Sequence, residues 1–328
     1  MPKPFFDDGG AVFETMKQKY GIWPVTVWDC DFSDKIMQAA KASIGDIGGA
    51  MLRKGMQGYW YQPTKRRGGP ASFPGEIGRS GKGGKYADVP QVSTREGCFR
   101  TPADDKSVYA GKVTASVFNP MVAQRILSCY APKDGGVCFD PFGGGGTRAI
   151  VAVKNGLRYY GVELRQEEVD AVGMRCEHCG VTEGMMMFCG DSQDCSGFMA
   201  DASADFCYTC PPYWNLEEYE GGAADLSMCL TYDGFLGGLE RVVHETRRVL
   251  KPGSYSCWVV GLHRDSEGGL LALNHDVARI HQSNGFRFKE EVVLAHRNNG
   301  AIQRVGNFEK GDRRLIRAHE YVLVFVRK

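Results

Sequence analysis

The sequence predicts an α/β fold with a Rossmann-like, mostly parallel sheet, helices on both faces and an antiparallel last strand. Three observations carry this. From about Ser116 onward, short apolar strand-like runs alternate with helix-like ones, the pattern of a doubly wound sheet. Four consecutive glycines, Gly143–Gly146, separate the first strand of this series from the helix after it. The last two strands are joined by a loop alone, whereas a parallel crossover needs a dozen or more residues, usually helical.

In chain order, the helix-like NPMVAQRILSCYA (119–131) comes first. The strand VCFDP (137–141), the glycines and the helix TRAIVAVKNG (147–156) follow. RYYGVEL (158–164) reads as a strand and QEEVDAVGMRCEHC (166–179) as a helix. MMMFCG (185–190), read as buried, and ADFCYTC (204–210) are two more strands. The helix YDGFLGGLERVVHETRRVL (232–250) should stop at Lys251-Pro252-Gly253, because proline cannot continue a helix. SYSCWVVGL, a helix over 270–283, FRFKEEVVLA, a basic loop and EYVLVFV complete the order.

The first 110 residues read differently. Val12–Tyr20 and Lys35–Ser43 are apolar-periodic and suit short helices. Residues 62–100 are rich in glycine and proline, which oppose helix and sheet alike, and predict a long mobile loop. We therefore divide the chain into an N-terminal extension, 1–110, and an α/β domain, 111–328.

Composition excludes several classes. Hydrophobic residues make up 43% and charged residues 24% of the 328, as in ordinary globular proteins. No apolar run is long enough to span a membrane, and MPKPFFDDGG lacks the pattern of a signal peptide, so a cytoplasmic location is expected. Cys138, Cys189, Cys207 and Cys257 lie in apolar strand-like runs, where a thiol behaves as a small buried hydrophobe. The net charge of +1 hides two basic segments. Residues 53–85 hold eight Lys or Arg, including Lys65, Arg66 and Arg67, against Glu76 alone. The segment 297–317 holds Arg313 and Arg314 among others. Such segments attract phosphate, and either could equally be a solvated loop.

The glycine turn lies where a doubly wound sheet binds ligands, at the carboxyl ends of its strands. Glu163 ends the next strand and can accept hydrogen bonds from both hydroxyls of a ribose. These features fit a nicotinamide cofactor almost as well as S-adenosylmethionine. The spacing matches G-x-G-x-x-G poorly, since Arg148 occupies a position that pattern does not allow. The discriminating segment is YTCPPYW (208–214). Two prolines remove two donors and fix the backbone at a strand end. An exposed Tyr213 then follows, suited to stack on a base turned out of its duplex.

DPFGGGGT, GVELR, GDS and TCPPYW, in that order, resemble the successive motifs of amino-methyltransferases acting on adenine N6 or cytosine N4 in DNA. TASVFNPMVA resembles the short motif preceding the glycine turn in that family, and HEYVLVFVRK its final strand. The resemblance covers roughly residues 112–328 and implies a seven-stranded methyltransferase sheet, S-adenosylmethionine as cofactor and DNA as partner. YGIWPVTVWDCDFSDK is similar to methylases of bacteriophages and prophages; no restriction partner or oligomeric state follows from it.

By matched position, Phe118 and Asn119 would lie near the methionine end of the cofactor. Asp140, Pro141, Phe142, Gly143, Gly144 and Gly145 would hold its amino-acid part, Glu163 the ribose, and Asp191 with Ser192 the adenine. Cys210, Pro211, Pro212 and Tyr213 would form the catalytic turn. Trp214, Lys65, Arg66, Arg67, Arg313 and Arg314 would meet nucleic acid. The family usually has Asp, Asn or Ser where this chain has Cys210, a weak hydrogen-bond partner. Methylation of RNA and a catalytically inactive nucleic-acid-binding role are the competing functions.

Other signals are set aside. Cys176 and Cys179, with Cys189 and Cys195, have zinc-like spacing, but Cys189 falls in a strand next to Asp191, and no metal site is assigned. His178, His244, His263 and His319 read as surface or structural residues.

Overall fold

The computed structural model describes Val27–Asp29, Gln62–Thr64, Val113–Ala115 and residues 118–328, except 217, 218, 220, 266, 296–314, 316 and 318. The expected helices at Val12–Tyr20 and Lys35–Ser43, and both basic segments apart from Gln62–Thr64, Leu315 and Arg317, lie outside the described residues. The elements are β1 (Val27–Asp29), β2 (Gln62–Thr64), β3 (Val113–Ala115), α1 (Pro120–Tyr130), β4 (Gly136–Asp140), α2 (Thr147–Lys154) and β5 (Leu157–Glu163). Then come α3 (Gln166–His178), β6 (Met185–Cys189), β7 (Ala204–Thr209), α4 (Tyr232–Val249) and β8 (Leu250–Val260). β9 (His263–Arg264), β10 (Leu270–Leu271), α5 (Leu273–Ser283), β11 (Phe286–Ala295) and β12 (His319–Arg327) complete the chain.

The main sheet runs β1-β11-β12-β8-β7-β4-β5-β6. β4, β5, β6, β7 and β8 pair in parallel. β12 lies antiparallel between β11 and β8, the orientation expected for the last strand. Seven strands come from the α/β region; the eighth, β1, pairs in parallel with β11. The segment 1–110 thus adds an edge strand to the sheet of 111–328. Gln62–Thr64 pairs antiparallel with Val113–Ala115, so part of the stretch read as a loop is strand. Pro63 disfavours the helical region for Gln62 and pushes it to extended backbone.

The strands alternate their side chains between two apolar layers, as a sheet covered on both faces demands. Cys138, Tyr159, Phe206, Tyr208 and Cys257 pack with Met121, Ile126, Ile150 and Val172 from α1–α3. Val137, Phe139, Cys207, Trp258 and Phe325 pack with Phe235, Leu239, Val242 and Val277 from α4 and α5. Burying each such side chain contributes about 1.5–3 kcal/mol. His281 stacks on Phe325 with ring centroids 3.8 Å apart, and burial pushes its pKa down to about 3.

Two local expectations fail for a topological reason. Cys189 is exposed and Met186 is 49% exposed, because β6 is an edge strand. α4 stops at Val249, just before Lys251-Pro252-Gly253 as expected, and those three residues then belong to β8. The ten described cysteines are free thiols. Among the described residues no three metal-binding side chains lie close enough to share an ion, and no helix is long and apolar enough to cross a membrane.

Candidate active site

Because β4, β5, β6 and β7 are parallel, their carboxyl ends, Asp140, Glu163, Cys189 and Thr209, meet on one edge of the sheet. Under that edge lies a buried polar cluster that sequence reasoning missed. Asp140 is fully buried. Its Oδ2 accepts from Arg148 Nε at 2.5 Å and from the Tyr159 hydroxyl at 2.6 Å. Its Oδ1 accepts from the Thr209 hydroxyl at 2.5 Å and from Phe142 N at 3.1 Å. Arg148 also donates to the Phe142 carbonyl, and its guanidinium lies over the rings of Phe118 (5.1 Å) and Tyr208 (6.0 Å). Burial works against the Arg148 charge, but Asp140 and the nearby phenols outweigh it, so its pKa is raised. Asp140 therefore makes its contacts within the protein, fastening the start of the glycine turn to β5, β7 and α2. Phe118 packs edge-on to Tyr208 at 5.6 Å, and Asn119 caps α1 by accepting from Met121 N.

The glycine turn is crowded from below. Gly143 N donates to Val162 O at 2.7 Å, and a Cβ there would stand 2.9 Å from Met187 Cε and 3.1 Å from Gly161 Cα. Gly145 and Gly146 have φ of +80° and +78°, which side chains rarely adopt. Gly145 N donates to Glu168 Oε1, a carboxylate also paired with Arg175. Pro141 is buried, while Phe142 and Gly144 are partly open. At the start of α2 the Thr147 hydroxyl is buried, with no hydrogen-bond partner among the described residues.

Glu163 is half-buried, accepts from Arg165 N at 3.1 Å, and lies 3.8 Å from Arg165 Nε. Burial pushes its pKa up to about 7; Arg165 opposes this, and Glu168 and Asp225 add to it. Asp191 follows β6 and accepts from the Gln193 backbone N–H and side-chain amide. Ser192 is buried beside it.

The Cys210–Tyr213 turn follows β7. Pro211 is buried and Pro212 half-buried. Burial pushes the Cys210 thiol up to about 12, against the pull of Arg148, so it is neutral at ordinary pH. Tyr213 is half-buried, not exposed as expected. Its ring lies against Gly261, where a Cβ would come within 2.5 Å of Cε2. Its hydroxyl lies 3.4 Å from Cys210 Sγ and donates to Glu320 Oε1 at 3.5 Å. Trp214, expected at nucleic acid, donates its indole N–H to Cys229 O at 2.9 Å and packs against Tyr232 and His263. It holds φ at +52°, a strain of about 1–2 kcal/mol for a residue with a side chain. His263 reaches Asn215 Oδ1 at 2.9 Å. Between Trp214 and Tyr232 the chain packs back onto the crevice: Gly221 lies against Leu164, and Gln193 donates to Ala224 O. Lys65, Arg66, Arg67, Arg313 and Arg314 lie outside the described residues.

These residues fit S-adenosylmethionine. The unpaired Thr147 hydroxyl stands at a helix N-terminus, which suits a carboxylate. The Glu163 carboxyl is partly open, as a ribose requires.

Among solved structures, TrmN from Thermus thermophilus is 15% identical over 64% of this chain and 49% of its own, with a TM-score of 0.46. Geranyl diphosphate C-methyltransferase from Streptomyces coelicolor A3(2), in complex with S-adenosyl-L-homocysteine, is 14% identical over 64% and 76%, with a TM-score of 0.45. A second Thermus thermophilus protein, described as a DNA modification methylase, is 24% identical over 42% and 50%, with a TM-score of 0.31. The chain spans about half the length of the first and third of these. No curated protein matches it. The N6/N4-type DNA methylase family matches residues 22–173 and 204–328. That match takes in β1, the glycine turn, Glu163, the Cys210–Tyr213 turn and β12, and the chain belongs to this DNA methylase family, whose methyl donor is S-adenosylmethionine.

Proposed function

We propose that the protein methylates an exocyclic amino nitrogen of a base in DNA, adenine N6 or cytosine N4, after the base leaves the duplex. The observation that carries this reading is the Cys210-Pro211-Pro212-Tyr213 turn. It sits at the end of β7, next to β4 and its glycine turn, with a ring and a proline-fixed backbone at the same edge as Glu163.

The cofactor supplies an electrophilic methyl group on a sulfonium. The protein's part is placement. Thr147 and the open side of Gly144 hold the amino-acid end of the cofactor. Glu163 takes the ribose hydroxyls, and Asp191 with Ser192 the adenine edge. Phe118, Asp140 and Arg148 act from below, keeping the turn in shape. The amino nitrogen of a base is a poor nucleophile because its lone pair is delocalised into the ring. A hydrogen bond from that amino group to the Pro211 carbonyl localises the lone pair, and Tyr213 holds the base plane. Fixing both reactants replaces a bimolecular encounter, which supplies much of the acceleration.

S-adenosylmethionine should raise the melting temperature and NAD should not, since a ligand held only by the folded state stabilises it. A shift with NAD alone would overturn the reading. Tritium transfer from labelled cofactor to DNA, with RNA in a parallel arm, tests the substrate. Stacking on an aromatic ring contributes about 1–3 kcal/mol per base, so Tyr213→Ala should slow transfer roughly 5- to 150-fold with cofactor affinity kept. Tyr213→Phe keeps the ring and should fall between. Equal rates for the alanine variant would remove Tyr213 from the site.

A further inference from the structure

Glu320 enters the site from the strand that runs against the others. β12 is antiparallel, so its first residues lie beside the carboxyl ends of β8 and β11: Tyr321 pairs with Val260, and Glu320 with Leu294. From there Glu320 Oε1 accepts from the Tyr213 hydroxyl at 3.5 Å, and that hydroxyl lies 3.4 Å from Cys210 Sγ. Three side chains from two separate elements thus meet at the catalytic turn. Gly261, at the end of β8, leaves no room for the Tyr213 ring to move toward the sheet.

The turn itself offers the Pro211 carbonyl as an acceptor but no charged one. Burial keeps the Cys210 thiol neutral, and a neutral thiol is a weak donor and a weaker acceptor. A base amino group has two N–H donors, and the Pro211 carbonyl satisfies one.

Resting on the amino-methylation reading above, we propose that Glu320 supplies the carboxylate of the transfer pocket, held by the Tyr213 hydroxyl. It accepts the second N–H of the target amino group. As the nitrogen lone pair forms the new N–C bond, the S–C bond breaks and its electron pair stays on sulfur. The nitrogen then carries a positive charge and releases one proton to a Glu320 oxygen, which passes it to solvent. Glu320 thereby does from the last strand what a carboxylate or amide at position 210 would do from the turn. The two positions should be interchangeable in effect.

The test is single-turnover transfer of tritiated methyl from S-adenosylmethionine to unmethylated bacterial genomic DNA. It compares the full-length wild type, Glu320→Gln, Glu320→Asp, Cys210→Asp and the Cys210→Asp/Glu320→Gln double variant, with cofactor affinity measured calorimetrically for each. Glu320→Gln should slow transfer by at least about tenfold, within the range of proton-transfer groups, with cofactor affinity unchanged within about twofold. Glu320→Asp should recover part of the rate. In the Cys210→Asp background the Gln substitution should cost less than about threefold, a non-additivity expected of groups sharing one task. A Glu320→Gln rate within about twofold of wild type overturns the inference. So does cofactor affinity falling in step with the rate, or an equal loss in both backgrounds. If the wild type binds cofactor but labels no DNA, the broader reading has failed instead.

Discussion

Arg148→Met should lower the unfolding free energy by about 3–5 kcal/mol, the loss typical when one partner of a buried ion pair is removed. Arg148 is 5% exposed and Asp140 fully buried. Methionine keeps an unbranched chain against Phe118 and Tyr208, so the change reports on charge more than on packing. Without Arg148 the carboxylate retains Tyr159, Thr209 and Phe142 N as donors but loses its counter-charge, and the Phe142 carbonyl loses a donor. The Asp140→Asn/Arg148→Met pair should cost less than the sum of the single changes, because no charge is then left unmatched. Urea unfolding without cofactor measures this. A loss below about 1 kcal/mol for Arg148→Met would show that the three remaining donors are enough.

The second large effect concerns Glu163. A carboxylate receiving two ribose hydroxyls contributes roughly 1.5–3 kcal/mol per bond, so Glu163→Ala should weaken cofactor binding by about a hundredfold or more. The pH dependence is more diagnostic. The free protein's Glu163 titrates near 7, raised by burial above its usual value. Its protonated form is the more abundant below that pH, whereas the ribose needs the ionised form. Binding should thus be independent of Glu163 charge well above pH 7, and weaken by about tenfold for each unit below it. Glu163→Gln should abolish that acid-side slope. The α-amino group of the cofactor titrates at about 7.7–8.0 in both variants and so cancels in the comparison. Identical slopes in calorimetric titrations from pH 5.5 to 8.5 would take Glu163 out of the ribose contact.

Much of the site was legible because its signals are local. The glycine turn joins a strand to a helix, Glu163 ends its strand, and a proline pair can only sit where a strand stops. β11 spans Phe286–Ala295 as the run of apolar and charged residues indicates. What stayed hidden depends on contacts distant in sequence. Arg148 reads as a flaw in a dinucleotide pattern until it pairs with Asp140, which Thr209 also holds from 69 residues away. Trp214 looks like an exposed ring until its indole finds Cys229 O. Glu320 could have been found: an antiparallel last strand brings its first residues to the ligand edge. Cys189 and Met186 point the same way, since which strand lies at an edge is a property of topology and not of the strand's own residues.

The short edge strand β1 bears on how these molecules behave in company. Among the described residues it pairs with Val293–Ala295 of a ten-residue neighbour. A long bare strand is a template on which a second chain can add, and proteins blunt such templates with charge and irregularity. Before Val293, β11 carries exposed Lys289, Glu290 and Glu291, and its register slips between Phe288 and Glu290. Charge and kink thus stand on the stretch of β11 that precedes its pairing with β1, devices that discourage a second chain from adding at a sheet edge.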